Sequence, residues 1–328
     1  MQRRWYAKPG WLWLLLPLEL IFRAITLLRY FFYRNGVLSS WRASVPVIVI
    51  GNISVGGTGK TPVTIALCEA LQRAGFNPGV ISRGYRAQPP QFPHLVSIDD
   101  SAQCSGDEPL LIARRTGCPV VIDPTRADAA RKLLSLEPCD VLICDDGLQH
   151  YALQRDIEFA VIDEARGFGN GHCLPVGPLR ELPQRLRRVD AVLVNGSNVN
   201  DDNKKRFGFN LSPSAFVNLQ SGETLAPSEW CQRYPRAHAL AGIGNPSRFF
   251  VSLRDLGCVA IEHPFSDHHG FVAGDLQFGD ELPVVMTEKD AVKCAAFANQ
   301  QHWYLRVDAT LPDSLITALV VKLRALKV

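Results

Sequence analysis

The sequence has little net charge, a single long apolar run and no closely spaced pair of cysteines. Its 328 residues carry a formal net charge of +3 and 47% of them are hydrophobic, which together exclude a fully disordered chain. One apolar stretch, near the N-terminus, excludes a membrane protein with several spans. The nine cysteines are odd in number and include no C-x-x-C motif, so we expect buried free thiols in a reducing compartment rather than disulfides or a zinc site.

The positive charge is concentrated at the N-terminus. Residues 1–45 carry +6, and the rest of the chain carries −3. Trp11–Phe22 is nearly all apolar, but Glu19 and the following Arg23 interrupt it, and aromatic residues are frequent. Aromatic rings and basic side chains suit the lipid headgroup region. We therefore predict a membrane-interface helix within residues 1–40, in preference to a membrane span, a cleaved signal peptide or a helix of the protein core.

Short β-branched runs alternate with segments of helical apolar spacing along the rest of the chain. This alternation predicts an α/β fold with a P-loop-type, mostly parallel sheet and helices on both faces. The polar stretch Asn195–Arg206 breaks the pattern, so we place a nucleotide-binding domain at residues 41–210 and a smaller α/β domain at residues 211–328. The predicted strands are Val45–Ile50, Pro78–Ser82, Pro119–Ile122, Val141–Cys144, Phe159–Ile162, Ala191–Val194, His238–Ala241 and Pro283–Thr287, and the predicted helices are Lys60–Ala74, Asp128–Leu136, Pro246–Leu256, Lys289–Phe297 and Leu315–Leu326.

A glycine-rich loop, residues 51–59, joins the first predicted strand to the first predicted helix. The strict pattern G-x-x-x-x-G-K-[ST] fails, because Ser54 stands where its first glycine is required. The end of the loop keeps the chemistry of a phosphate site: glycine N–H groups converge on phosphate oxygens, Lys60 reaches the β- and γ-phosphates, and the Thr61 hydroxyl binds Mg²⁺. The predicted nucleotide-binding residues of this loop are Val55, Gly56, Gly57, Thr58, Gly59, Lys60, Thr61 and Pro62.

Two carboxylates end a later predicted strand. Asp145 and Asp146 follow four apolar residues and precede Gly147. Oxygen ligands at the carboxyl end of a strand suit a Mg²⁺ ion beside phosphates, so we predict a magnesium site made by these two residues and Thr61. The alternative is a simple turn or helix cap.

Seven motifs occur in a fixed order along the chain. They are GNISVGGTGKTP (51–62), SRGY (82–85), GDEP (106–109), DDGLQH (145–150), LPVGPLRE (174–181), FSDHHGF (265–271) and TEKDAVK (287–293). This set resembles the tetraacyldisaccharide 4′-kinases, the lipid A kinases of Gram-negative bacteria. The resemblance implies transfer of a phosphoryl group from ATP, with Mg²⁺, to the 4′-hydroxyl of a tetraacyldisaccharide 1-phosphate. It also implies two domains hinged around an active-site cleft, in a monotopic or peripheral protein at the cytoplasmic face of the inner membrane.

The resemblance assigns roles to residues outside the loop as well. The family's catalytic base matches Asp107, and the histidine that supports it matches His268, with His269 as the alternative. Together with Lys60, these residues form the predicted catalytic group. The magnesium-side carboxylates of the family match the two aspartates named above. An arginine–glutamate pair near the nucleotide matches Arg180 and Glu181.

Other assignments come from residue chemistry and leave alternatives open. Arg83, Arg86 and Arg126 are candidates to bind the substrate 1-phosphate or the ATP phosphates, although a single arginine is more often a surface charge. Gln149 is a weaker substrate candidate. Asp107 is also a candidate helix N-cap, since a proline and an apolar helical run follow it.

Other classes of function fit the sequence less well. A GTPase switch needs the motif N/T-K-x-D, and the closest run, Thr287–Asp290, has Glu288 at the lysine position. A purely structural module has little use for a phosphate loop with paired carboxylates. Nucleic-acid binding is disfavoured because the chain beyond residue 45 is net negative. We therefore expect the lipid substrate and the inner-membrane surface as partners, with no nucleic acid and no obligate protein partner.

Overall fold

The computed structural model describes residues 2–6, 10–197, 200–201 and 205–326. Parts of two sequence features lie outside the described residues. They are Lys8 of the basic N-terminal segment and residues 198–199 and 202–204 of the polar stretch.

The helices cover most segments with helical spacing. In chain order they are α1 (Gln2–Trp5), α2 (Leu16–Arg34), α3 (Lys60–Arg73), α4 (Ala102–Ser105), α5 (Asp107–Thr116), α6 (Arg126–Leu136), α7 (Pro227–Arg233), α8 (Pro246–Asp255), α9 (Glu288–Cys294) and α10 (Asp313–Leu326). Short 3₁₀ helices span Gly10–Leu15, Pro183–Arg188, Ala273–Leu276 and Ala295–Phe297. The first of these leads directly into α2, so one helical segment runs from Gly10 to Arg34.

The strands of the described residues form one large sheet. They are β1 (Val47–Gly51), β2 (Pro78–Ser82), β3 (His94–Leu95), β4 (Val120–Ile122), β5 (Val141–Asp145), β6 (Ile157–Asp163), β7 (Ala191–Asn195), β8 (Asn200–Asp201), β9 (Arg206–Asn218), β10 (Thr224–Leu225), β11 (Arg236–Ala241), β12 (Val259–Pro264), β13 (Val284–Thr287) and β14 (His302–Thr310). Their order is β12-β11-β13-β14-β9-β7-β6-β1-β5-β2-β4-β3, with β8 and β10 paired to β9. Most neighbouring strands are parallel. The antiparallel pairs are β14–β9, β3–β4, β8–β9 and β10–β9.

Alternating side chains of the central strands fill two cores, one on each face of the sheet. Ile48 and Ile50 of β1 lie in a cluster with Leu67 of α3, whereas Val47 and Val49 lie in a second cluster on the opposite face. All five residues of β1 are buried, because helices cover both faces. The predicted α/β fold with a mostly parallel sheet is therefore confirmed.

The long strand β9 carries the sheet from the first half of the chain to the second. It pairs in parallel with β7 as far as Phe209, and from Asn210 onward it pairs antiparallel with β14. Leu315 and Leu319 of α10 pack into the core cluster of the first half. The C-terminal helix therefore packs on the other side of the predicted domain boundary at residue 210. The division into domains 41–210 and 211–328 stays a prediction.

The N-terminal helix leaves most of its apolar surface uncovered. The segment Gly10–Arg34 is long and apolar enough to cross a membrane by length and composition, and only 11% of its most apolar window is buried. A helix of the protein core would be mostly buried, so that alternative is wrong. The exposed large apolar residues of this helix are Trp11, Trp13, Leu14, Leu18, Leu20, Ile21, Ile25, Leu27, Leu28 and Phe31.

Candidate active site

The phosphate loop lies between β1 and α3, at the carboxyl edge of the sheet. Gly59 caps α3 with a φ of +95°, a left-handed conformation that favours glycine, and a Cβ there would lie 3.1 Å from Asn195 Nδ2. Asn195 Nδ2 donates to the Thr58 carbonyl oxygen at 3.3 Å, and Asn52 Nδ2 donates to the Gly56 carbonyl oxygen at 3.4 Å. Side chains at the ends of β1 and β7 thus hold the loop.

Two cations meet one carboxylate beside this loop. Lys60 Nζ lies 3.6 Å from Asp146 Oδ1, and Arg180 Nη1 lies 3.2 Å from Asp146 Oδ2. Burial raises the pKa of Asp146, but the charges of Lys60 and Arg180 outweigh burial and lower that pKa to about 2. Asp146 is therefore ionised at neutral pH, and it holds both cations at the phosphate site.

The pKa of the neighbouring Asp145 is shifted in the opposite direction. It is buried at the end of β5, where its Oδ1 accepts a hydrogen bond from the Thr64 hydroxyl at 3.2 Å. Burial and the negative charges of Glu108 and Asp146 raise its pKa to about 7. The negative charges of Glu108, Asp145 and Asp146 repel one another, and the two aspartates offer hard-oxygen ligands beside Lys60 and the half-buried Thr61. These residues fit a Mg²⁺ ion, whose charge would relieve that repulsion.

Asp107 begins α5 and pairs with a histidine from the second half of the chain. Its side chain is buried, its Oδ2 lies 3.1 Å from His268 Nδ1, and its Oδ1 accepts the Glu108 N–H at 3.2 Å. Burial raises the pKa of Asp107, but the hydrogen bond from His268 and the charge of Lys289 lower it to about 2. At neutral pH this carboxylate is an ionised proton acceptor. Because its Oδ1 accepts the N–H of the next residue alone, it does not serve as an ordinary N-cap.

The two adjacent histidines face different partners. His268 has a φ of +58° and packs against the Tyr85 ring at 5.1 Å between centroids. His269 turns away, so that its Nε2 lies 3.0 Å from Asp275 Oδ2 and its ring packs between aromatic side chains. The structure thus brings His268, and not His269, to Asp107.

Sequence reasoning gave no role to Lys289, although it lies in the TEKDAVK motif. Its Nζ lies 2.9 Å from Glu108 Oε1 and 3.7 Å from Asp107 Oδ2. Burial lowers the pKa of Lys289, but these two carboxylates raise it above its ordinary value. Beside it, both carboxylate oxygens of Glu288 accept hydrogen bonds from Arg115 Nη1, at 2.9 and 3.0 Å. The segment that a GTPase would use to recognise guanine is therefore engaged with α5.

A group of positive charges surrounds His150, near the N-terminal helix. Burial, followed by the charge of Arg126, lowers the pKa of His150 to about 3, and Arg83 and Arg29 act in the same direction. Arg83 is exposed, whereas Arg126 is only 3% exposed and donates to the carbonyl oxygens of Asp123 and Asp145. Arg83 and Arg126 thus lie in one electropositive region, with Arg126 bonded to the backbone, whereas Arg86 Nη1 donates to the His268 carbonyl oxygen at 3.3 Å.

Gln149 and Glu181 belong to a buried network behind the phosphate loop. Gln149 Nε2 donates to the Asn52 carbonyl oxygen at 3.1 Å and to Glu181 Oε1 at 2.7 Å. Glu181 Oε2 accepts the Tyr151 hydroxyl at 2.7 Å and lies 3.6 Å from Arg185 Nε. In this arrangement Gln149 and Glu181 hold the start of the loop.

Among the described residues, the group of potential metal ligands whose atoms lie within 4.8 Å of one another is His94, Asp100 and Cys104. His94 Nε2 lies 2.8 Å from Asp100 Oδ2, which also accepts the Ser97 N–H at 3.0 Å and the Ser105 hydroxyl. Because this carboxylate already has three partners, the group is better explained as a brace for the turn before Asp107.

Known proteins match the chain over nearly its whole length. The LpxK family, described as tetraacyldisaccharide-1-P 4′-kinase, matches residues 11–324. A tetraacyldisaccharide 4′-kinase of Pseudomonas putida strain W619 is 52% identical over 305 residues, which cover 93% of this chain and 90% of the relative. The enzyme of that name from Pseudomonas entomophila strain L48 is 50% identical over 317 residues, 96% of this chain and 92% of the relative.

A solved structure agrees with these relatives. The crystal structure of LpxK from Aquifex aeolicus in complex with ATP has a TM-score of 0.80 and 26% identity, and the alignment covers 94% of this chain and 97% of that one. Matches of this extent settle the family, and the chain belongs to the tetraacyldisaccharide 4′-kinases.

Proposed function

We propose that this protein transfers the γ-phosphoryl group of ATP to the 4′-hydroxyl of a tetraacyldisaccharide 1-phosphate, with Asp107 as the base. The observation that carries the assignment of the base is the contact between Asp107 and His268, which joins the two halves of the chain beside the phosphate loop. A Cβ built on Gly244, near the histidine segment, would lie 4.0 Å from the Gly57 nitrogen, so this segment lies close to the phosphate loop.

Asp107 takes the proton of the sugar hydroxyl as that oxygen attacks phosphorus. A carboxylate with a pKa of about 2 is a weak base, but it is ionised at every physiological pH and needs only to accept a proton as the hydroxyl becomes acidic in the transition state. His268 and Lys289 hold the carboxylate in one orientation from two sides, which favours a single direction of attack.

Charge on the phosphates is met by the chain's own cations. The N–H groups of the loop and the N-terminus of α3 face the phosphate oxygens, and Lys60 adds a full positive charge. In the proposed complex Lys60 and Arg180 move their contacts from Asp146 to phosphate oxygens. Thr61, Asp145 and Asp146 would hold Mg²⁺, which supplies further neutralisation of the phosphate charge when bound.

The substrate 1-phosphate is an anion on a lipid, and the electropositive region near α2 suits it. Arg83 is exposed there, and Arg29 of α2 is close enough to affect the pKa of His150. We propose that the uncovered apolar side of α2 lies in the cytoplasmic leaflet of the inner membrane, where ATP is available. The lipid substrate would then enter the cleft from the side that faces the bilayer.

The direct test is ATP-dependent phosphate transfer to a dephosphorylated lipid A precursor in mixed micelles. We expect transfer with ATP and Mg²⁺, none with either omitted, and much slower transfer with GTP. Transfer to a hydroxyl other than the 4′ position, identified by mass spectrometry of the product, would contradict the proposed acceptor. Equal rates with GTP would contradict selection of ATP.

A further inference from the structure

The N-terminal helix contains one fully buried carboxylate. Glu19 has no exposed surface, although it stands among exposed apolar residues of α2. Its Oε2 lies 2.9 Å from His172 Nδ1, its Oε1 accepts the Cys173 N–H at 2.6 Å, and Arg23 pairs with it one helical turn later. Burial of a carboxylate is costly unless it is paired, so this contact is a specific anchor rather than incidental packing.

The partners of Glu19 begin a segment that reaches the phosphate loop. We call His172–Glu181 the connector. It folds back on itself, because the Leu179 N–H donates to the His172 carbonyl oxygen at 3.1 Å and the Leu174 N–H donates to the Leu179 carbonyl oxygen at 2.9 Å. Its two ends are therefore fixed to each other, and a displacement at His172 is transmitted to Leu179.

The far end of the connector is bonded to the nucleotide site. The Val55 N–H donates to the Pro178 carbonyl oxygen at 2.8 Å, and the Arg180 N–H donates to the Ile53 carbonyl oxygen at 2.7 Å. The Arg180 side chain reaches Asp146 at 3.2 Å. Two backbone bonds thus fix the beginning of the phosphate loop to the connector, and the ion pair joins the connector to Asp146 beside the loop.

Apolar packing follows the same path. Trp5, Leu12 and Val176 form a small buried cluster, against which Val55 of the phosphate loop is also packed. The N-terminal segment, the connector and the loop therefore share one packing unit in addition to the hydrogen bonds.

We propose that Glu19 is a positioning residue for the nucleotide site, which holds the connector and thereby places the phosphate loop relative to the membrane-facing helix. It touches neither phosphate nor metal ligand; its effect passes through His172, Cys173 and the connector. This inference rests on the proposed function, but the effect of Glu19 on the affinity for ATP can be measured without the lipid substrate.

The test compares full-length Glu19→Ala and Glu19→Gln with a control on the same helix, Thr26→Ala, whose hydroxyl donates to the Phe22 carbonyl oxygen within α2. Equilibrium dialysis gives the Kd of ATP with Mg²⁺ in the absence of lipid. Steady-state assays give KM for ATP and kcat separately, and hydrogen–deuterium exchange follows a peptide that contains Val55.

We expect Glu19→Ala to raise Kd and KM for ATP about tenfold, as for loss of a buried hydrogen bond to a charged group, with faster exchange in the loop. Glu19→Gln keeps an oxygen for the Cys173 N–H and should raise both about threefold. Thr26→Ala should resemble the wild type.

A lower kcat with unchanged KM and Kd for ATP would mean only that fewer molecules are folded, and would overturn the positioning role. Unchanged exchange at the loop would overturn it as well. If the wild type fails to phosphorylate the lipid, the proposed function fails, and dialysis with exchange still decides the role of Glu19.

Discussion

Replacement of Asp107 by asparagine separates the chemical role of this residue from its structural one. Asparagine keeps the size of the side chain, but it has no charge and only one acceptor oxygen. Asp107 is 7% exposed and lies between His268 at 3.1 Å and Lys289 at 3.7 Å, so both effects can be worked out from the contacts.

The structural effect follows from the pKa. The pKa of Asp107 is lowered from its ordinary 3.8 to about 2, a preference for the charged form of about 2 kcal/mol. Because the folded-state pKa lies below the unfolded one, this stabilisation is present above about pH 4 and is lost as pH falls through about 2. Asp107→Asn should therefore lower the free energy of unfolding at pH 7 by about 2 kcal/mol, which is small enough for the variant to stay folded. Denaturant unfolding followed by circular dichroism measures this difference.

The chemical effect should be much larger. Loss of a proton acceptor that acts in the transition state lowers kcat by about 10²- to 10⁴-fold, with KM for ATP little changed because Asp107 does not hold the nucleotide. The assay is the phosphate transfer described above, with His268→Ala and His269→Ala measured in parallel. His268→Ala should lose activity, and His269→Ala should stay near wild type because that ring pairs with Asp275. A variant that loses ATP affinity but retains kcat would refute the assignment of Asp107 as base.

Three further outcomes are expected. Lys60→Ala should lower kcat by about 10²- to 10³-fold, since it removes a charge directed at the transferred phosphate; a change in KM for ATP alone would contradict this. The Mg²⁺ concentration for half-maximal rate should fall as pH rises from about 6 to 8, because a proton competes with Mg²⁺ for Asp145, whose pKa is about 7; a flat dependence would mean that Asp145 is not a ligand. Leu18→Glu on the exposed side of α2 should reduce sedimentation with phospholipid vesicles about tenfold or more, and unchanged sedimentation would contradict membrane contact by that side.

Local patterns sufficed to predict most of the elements around the phosphate loop. Val47–Gly51, Lys60–Arg73, Pro78–Ser82 and Val141–Asp145 lie within two residues of their predicted bounds, because each is a short buried strand or an amphipathic helix that ends at a glycine. The long strand β9 and its antiparallel partner β14 were not predicted. Their polar and apolar residues alternate only in part, and their pairing depends on contacts between residues about ninety positions apart, which no short window contains.

The candidate site shows the same limit. The motifs indicated which residues are expected to neutralise the charge of the phosphates. Which side chains pair with those residues depends on tertiary contacts. Lys289 reaches Asp107 only because α9 packs against α5. The choice between His268 and His269 depends on which ring is directed at Asp107 by the turn after β12, where the His268 N–H donates to the Gly242 carbonyl oxygen. Two adjacent histidines carry no signal of their own that separates them, so the sequence left that choice open.

The N-terminal charge also has a different meaning once its partners are known. Residues 1–45 carry +6, but Arg23 pairs with buried Glu19, Arg42 lies 2.9 Å from Asp156, and Arg29 contributes to the electropositive region around His150. Each basic residue near an anionic surface contributes about 1 kcal/mol to membrane binding, whereas each large apolar side chain that becomes buried contributes about 1.5 to 3 kcal/mol. Two of the seven basic residues are thus paired within the protein, while ten large apolar residues of the helix are exposed. Attachment should therefore depend mainly on the apolar side of the helix, with the remaining basic residues orienting it at the headgroups.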